Sequence, residues 1–531
     1  MKTQAQTPPV QGDAAPNTDH RRRRWPQHEG VLLYLFAILN ALCFVWGYRF
    51  LPLQDYPDWL YQGTLLSQAI RGTLSEQYRV VPYPVPNAIS TLVIGLLGLV
   101  FRPEVAGKLT LTLYVLAFIA GSAYLFTSTG GRLGPLFCIP LALLFSGFFF
   151  HGYLSYLLAL GPLFFGIGYL IRRREEPASV STGVVLATSL LLYLSHALVY
   201  AAWLLFLGLF FAGRPSRRLA ARLLLALAPS LVLLAIYVLQ TAQGAGDTRV
   251  FYGERWLAGK LGTLFPTFHL FHGFYPVTSA LDPGVALFGK LNQGFALLVG
   301  LTCLWGAVAA WRDADCRLPL AAGGAFLAVY LLSPRYLAGN VLPDLRFLFP
   351  ALWMLLAYGA PALDRRLGPV GRRVGWRLGG GVLFLQAFFL HGHAGVCAWR
   401  AEAVYREMRT AIGDQPFREV FESHFNYEGR FRRVYHLPRH IAVHSPLSRL
   451  PYYLHIEQGS DAPIFATGIL KETAPRPPLD SVTALRNLPE EPEFLVTLGG
   501  DAGNRFIAGM LSDRYEVERA GRYAIVLKRR Q

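Results

Sequence analysis

The sequence predicts a polytopic α-helical membrane protein of about eleven spans with a small external α/β domain at its carboxyl end. Three observations carry this. Of 531 residues, 53% are hydrophobic and 16% charged, whereas ordinary soluble domains carry about 25% charge. Several apolar runs approach the roughly 20 residues that cross a bilayer. After Val396 the chain turns charged and offers no further span. A soluble enzyme is excluded. The net charge of +17 would suit nucleic acid, but the basic residues lie mostly in short loops between apolar runs, where they act as topology signals, and no nucleic-acid partner is expected. The five cysteines are scattered without a CxxC pair, so neither a disulfide framework nor a metal site is inferred.

Taken in order, residues 1–30 read as a disordered cytoplasmic tail ending in an arginine run at 21–24. The apolar run that follows lacks a small-x-small cleavage site and reads as a retained span. Next comes LPLQDYPDWLY, 51–61, with Asp55 and Asp58. An ionisable residue at membrane depth is costly and is by default a functional hypothesis. The plain alternative is that these acids end a helix at the interface, with Tyr56, Trp59 and Tyr61 as an aromatic belt. Position alone leaves both open. The external loop runs over 51–105. Residues 62–74 have the spacing of a helix lying on the membrane. Pro82, Pro84 and Pro86 stop any helix there. The apolar segment 88–101 is short for a span and reads as re-entrant or interfacial.

Charge bookkeeping supports that choice. The basic loops near 131–132, 172–174, 214–222, 312–317 and 364–377 all join the arginine run on one side if 88–101 does not cross and 182–211 crosses twice, turning near His196. Spans then fall near 31–50, 106–127, 133–150, 153–171, 181–195, 197–212, 222–240, 291–311, 318–334, 343–363 and 378–396. The amino end is cytoplasmic, and the transmembrane domain is 31–396. The external side collects Asp55, Asp58, His151, Tyr153, Ser155, His196, the loop 241–290, and the hairpin with Arg335, Tyr336 and Arg346.

A lone histidine such as His196 in an apolar run is often only a core residue. A lone interfacial arginine often only snorkels, but two in one hairpin opposite the basic loops weaken that reading for Arg335 and Arg346, whose rigid donor forks suit phosphate. The loop 241–290 holds Arg255, His269, His272 and many aromatics. HLFH has i, i+3 spacing compatible with metal ligation on a helix, but no third ligand is near. Residues 397–531 read as the external α/β domain, with strands at 463–469, 493–498 and 522–528 and a helix at 505–515. GGDAGN, 499–504, lacks the fuller dinucleotide fingerprint. His436, His440 and His444 are spaced by four, but Pro438 interrupts them.

QDYPD (54–58), HGYLSY (151–156), SHALVY (195–200) and LPDLRF (342–347), with this topology, resemble the GT-C superfamily of integral-membrane glycosyltransferases, which includes protein O-mannosyltransferases and the lipid A aminoarabinose transferase. The resemblance covers the whole topology and implies an inverting glycosyltransferase of a bacterial inner membrane. Such an enzyme moves a sugar from a polyprenyl-phosphate carrier to a lipid, glycan or protein acceptor at the outer face. It makes Asp55 the catalytic carboxylate and brings His151 to Ser155 and His196 to the cavity. The chain departs from some relatives in having no acid within HGYLSY and a histidine at 196 in place of lysine.

The chemistry suits these residues. Inverting transfer needs one base to take the acceptor proton, and a carrier phosphate leaves without a second carboxylic acid, unlike most glycosidase substrates. Asp55 is the base and Asp58 orients sugar or base. Arg335, Arg346 or Arg255 offset the developing phosphate charge, a task that Mg²⁺ or Mn²⁺ could share, although no residue is assigned to a metal. The remaining candidate contacts to donor or acceptor are His151, Tyr153, Ser155, His196, His269, His272 and Tyr336. A transporter of lipid-linked glycans is the competing reading, but it calls for polar groups at mid-membrane, and here the charges stay near the span ends. A sensor or assembly protein would leave Asp55 dispensable. Labelling with a membrane-impermeant reagent should report cysteines placed beside Asp55 and beside Arg346 on one face of the membrane. Opposite faces would end the proposal.

Overall fold

The computed structural model describes residues 28–129, 133–243, 250–252, 256–264, 283–312, 317–337, 340–341, 343–421, 450–458, 469–471, 484–485, 491–498, 501–521 and 524–530. It is a polytopic helical membrane protein with a small carboxyl-terminal α/β unit. The elements in order are α1 (His28–Gly47), α2 (Tyr56–Arg71), β1 (Tyr78–Val80), α3 (Ile89–Leu97), α4 (Pro103–Ser128), α5 (Cys138–Leu143), α6 (Gly147–Phe150), α7 (Leu154–Arg172), α8 (Thr182–Ser195), α9 (Ala197–Gly213) and α10 (Arg217–Gln243). Then follow β2 (Val250–Phe251), α11 (Trp256–Leu264), α12 (Pro283–Arg312), α13 (Arg317–Leu332), β3 (Tyr336–Leu337), β4 (Asn340–Val341), α14 (Leu345–Arg366) and α15 (Pro369–Ile412). The last part comprises β5 (Phe417–Phe421), α16 (Pro451–Gln458), β6 (Ile469–Lys471), β7 (Phe494–Leu498), α17 (Asp501–Met510), β8 (Tyr515–Ala520) and β9 (Ala524–Arg529).

Among the described residues, seven helices are long and apolar enough to cross a membrane: α1, α4, α7, α10, α12, α14 and α15. Four shorter apolar stretches, Pro135–Phe150, Thr182–Ser195, Ala197–Gly213 and Arg317–Leu332, complete the bundle. One of these corrects the sequence reading. The segment 133–150, expected as a continuous span, is a 3₁₀ turn followed by two short helices, with a break at Leu144 to Ser146. Gly134, Pro135, Ser146 and Gly147 interrupt it, while its residues stay buried in the bundle. The segment 88–101 holds the nine-residue α3, far short of the roughly 30 Å of a bilayer core at 1.5 Å per residue. It packs along α2 instead: Ser67 donates to Gly95 O at 2.7 Å.

The two ends of the bundle differ. At one end Arg214 pairs with Glu175 at 2.8 Å, Arg222 reaches Ala178 O, and Arg172 holds Ser128 at 2.9 Å. The α14–α15 junction meets the loop at Gly134, where a Cβ would lie 2.2 Å from Asp364 Oδ2. At the other end the loop after α1, the turn between α6 and α7, and the start of α14 come together.

The α15 helix spans 44 residues, about 66 Å at 1.5 Å per residue, so it outruns a ~30 Å core. It continues without a break past 396 and carries the α/β unit on its far end. There a sheet of order β5-β7-β9-β8, with only the β5–β7 pair parallel, lies between two helices. Phe494, Val496 and Val526 join the main core with Met408 and Ile412, while Leu495, Ile525 and Leu527 join Ile507 and Leu511 of the α17 side. That division is the period-two alternation of a strand. The helix expected at 505–515 is shifted to Asp501–Met510, and 515 opens β8. Of the strand expected at 463–469, only Ile469 is described; β6 pairs antiparallel with β1, Tyr78 opposite Lys471. Arg49 adds ion pairs to Glu457 (3.1 Å) and Glu402 (3.8 Å). The α/β unit and the Asp55 loop therefore lie at the same end of the bundle.

Small residues bring α4 and α7 into backbone contact. A Cβ on Gly121 would meet Gly161 O at 2.4 Å, and one on Gly161 would meet Ala117 O at 2.5 Å. Packing of this kind replaces the hydrophobic effect as the glue inside lipid. Gly121→Val should cost about 1–3 kcal/mol, the usual range for overpacking. Gly300→Val, with nothing within 4 Å of its Cβ position, should cost far less. Thermal unfolding in detergent compares them, and equal losses would remove this account of the crossing.

Candidate active site

Asp55 is placed by its backbone. Gln54 N–H donates to Phe150 O at 2.9 Å and Asp55 N–H to His151 O at 3.1 Å. Gly152 closes the turn at φ 74°, and a Cβ there would lie 2.7 Å from Asp55 N. Trp59 Nε1 adds a bond to Gly152 O at 2.9 Å. QDYPD and HGY, 97 residues apart, thus form one docked unit. Asp55 stands at the N-cap position of α2, yet its side chain makes no capping bond, so the plain helix-end reading does not describe it. It does describe Asp58, which lies buried in the first turn of α2, where a carboxylate complements the positive helix end.

Facing Asp55 are Tyr153 and Arg346. The guanidinium lies 5.1 Å from the Tyr153 ring centroid. The Asp55 charge interacts with both groups. His151 stacks on Tyr153 with centroids 5.4 Å apart, and its Nδ1 is 3.2 Å from Gln54 Oε1. Tyr156 OH donates to Arg346 O at 3.2 Å, and its ring meets His196 edge-on at 5.4 Å. His196 separates α8 from α9 in an extended conformation, and its Nδ1 accepts from Leu198 N–H at 3.2 Å. An accepting Nδ1 requires an unprotonated nitrogen, in line with burial and the nearby Arg346 charge, which push its pKa well below the usual imidazole range.

The remaining residues divide. Ser155 is spent on packing: its hydroxyl meets Ser90 Oγ at 2.5 Å and Asn87 O at 2.8 Å. Arg335 donates to Gly259 O of α11 at 2.5 Å. Tyr336 lies in the three-stranded β2-β3-β4 sheet, opposite Val341. Arg255, His269 and His272 lie outside the described residues, as do His436, His440 and His444. Among the described residues no group of three or more His, Cys, Asp or Glu could hold a metal.

The sequence reading passed over Gln54, Tyr156 and Lys260. Lys260 is the sole charge in the apolar α11 segment WLAGKLGTL, which was the available signal. Its ammonium contacts Asp344 Oδ2 and donates to Ser333 O at 2.7 Å, and both charged side chains are 0% exposed.

These features describe a helical membrane bundle with a carboxylate-bearing loop after the first helix and a small α/β unit at its carboxyl end. Among solved structures the chain is similar to the crystal structure of ArnT from Cupriavidus metallidurans bound to undecaprenyl phosphate. The TM-score is 0.53 and the identity 11%, over 94% of this chain and 97% of that one. At that identity the likeness is one of fold. No family model matches the sequence, and no curated protein does.

Gly152→Ala tests the docked turn. An L-residue in the left-handed region costs about 1–2 kcal/mol, and here the methyl also strikes Asp55 N. Gly72→Ala, at φ 72° with open space around it, should lose similar stability without moving Asp55. Thermal unfolding should therefore show both variants weakened, while only Gly152→Ala loses any activity that needs Asp55.

Proposed function

We propose that this chain is an inverting glycosyltransferase that moves a sugar from a polyprenyl-phosphate carrier to an acceptor at the outer face of the membrane. The observation that carries this reading is the docking of the Asp55 loop on the His151 turn, next to the Tyr153 ring over which the Arg346 guanidinium lies, on the fold of a protein whose solved structure holds undecaprenyl phosphate.

The acceptor hydroxyl attacks the anomeric carbon as Asp55 removes its proton. The bond from that carbon to the phosphate oxygen breaks, and its electron pair leaves with polyprenyl phosphate. Arg346, held over Tyr153, offsets the charge on the departing phosphate. The planar fork suits phosphate oxygens, and stacking on Tyr153 limits the entropy lost on binding. Neutral His196 can donate only from Nε2, since Nδ1 accepts from Leu198. Asp58, buried in the first turn of α2, holds the helix start that follows Asp55.

Placing the site at the outer face follows from the basic end of the bundle: Arg172–174, Arg214 and Arg222 belong inside by the positive-inside rule, and the site lies at the opposite end. Lipid, glycan and protein acceptors all supply the hydroxyl this chemistry needs.

Asp55→Asn should lower release of free polyprenyl phosphate from a polyprenyl-phosphate sugar by about 10²–10⁴-fold, the range for a lost general base, with unchanged melting. A folded variant with wild-type release would remove Asp55 from the reaction.

A further inference from the structure

We propose that Lys260 and Asp344 are positioning residues that set Arg346, so that docking of the loop helix α11 controls the phosphate-binding group. This rests on the function proposed above. Lys260 lies in the middle of α11, and its ammonium is fully buried against Asp344, Ser333 O and the Tyr330 ring, whose centroid is 4.9 Å away. Tyr330 OH donates to Lys260 O at 2.5 Å, and Trp256 Nε1 to Leu331 O at 3.0 Å. The helix is thus pinned to the end of α13 and the start of α14.

Asp344 is the residue on which α14 begins. Its carbonyl accepts from Phe347 N at 3.0 Å and Leu348 N at 3.3 Å. Arg346 follows two residues later, and residues two apart on a helix point to different faces. One face of the turn is held by Lys260, and the other carries Arg346 to Tyr153, where Tyr156 OH grips the Arg346 carbonyl. The first turn of α14 is therefore clamped from both sides. A buried ion pair is weak evidence for stability, since apolar replacement of both partners is often neutral. Its best use is to fix a register, and here the register fixed is that of Arg346. Trp256, Leu257 and Leu261 on the same short helix are exposed at 40%, 51% and 51%, so α11 is held by its polar ties, and among these Lys260 supplies the charged one to the start of α14.

Lys260→Met alone leaves a buried carboxylate uncompensated and risks misfolding, so the decisive variant is Lys260→Met with Asp344→Asn, which removes both charges. Two readouts are taken on purified full-length protein in detergent. The first is the affinity for polyprenyl phosphate. The paired variant should melt like wild type yet bind about 10-fold more weakly. In an Arg346→Ala background the paired change should add less than twofold, because its effect passes through Arg346. The second readout needs no lipid. In ¹⁵N-arginine spectra, the Arg346 guanidinium signal, assigned by its loss in Arg346→Lys, should carry the ring-current shift of Tyr153 and lose it in the paired variant. An unmoved signal in the folded paired variant overturns the proposal, as does a 10-fold loss that persists without Arg346. If the signal moves as expected but wild type binds no polyprenyl phosphate, the positioning stands and the proposed reaction fails.

Discussion

The site depends on two backbone bonds. Gln54 and Asp55 donate to Phe150 and His151, and Gly152 lets the chain pass close enough for them to form. Backbone attachment leaves the Asp55 carboxylate uncommitted to any helix cap. Here backbone amides fix the position of Asp55 near Arg346 and Tyr153.

That contact is possible because the molecule has two chemically different ends. The arginine-rich end ties its loops with Arg214–Glu175 and the Arg172 bonds to α4. The other end gathers the Asp55 loop, the His151 turn, the start of α14 and the α/β unit, stitched to the first loop by β1–β6 pairing and the Arg49 ion pairs. Backbone groups left unpaired in hydrocarbon cost several kcal/mol each. Short irregular pieces such as 135–150 survive because the bundle surrounds them.

Much of this was legible in the sequence because membrane proteins write their topology in hydropathy and basic loops. Asp55, His151, Tyr153, His196 and Arg346 were found as polar groups at the ends of apolar runs, and the structure brings them together. Ser155 and Arg335 had the same signature but are turned into packing and onto α11; sequence gives the end of a helix and not the direction of a side chain. Lys260 was missed because burial of a lone lysine depends on a partner 84 residues away. The strands FREVF and YEVERA escaped notice because charges interrupt their apolar pattern. The α15 helix reads as two things, a span and then a charged segment, although one helix carries both.

In the proposed reaction the lipid phosphate is already a good leaving group, so the protein would supply only a base and a cation. Those two groups come from different elements, the loop before α2 and the start of α14, joined across the turn that opens α7. Such a pair leaves no contiguous motif of any length. Each member needs only a helix end at the correct depth, and the bundle supplies that through backbone contacts such as Gly121 on Gly161. This is a physical reason why a chain can share a fold over 94% of its length at 11% identity while no family model matches its sequence. The demand on side chains falls on a handful of positions, and the demand on the bundle falls on its helix spacing.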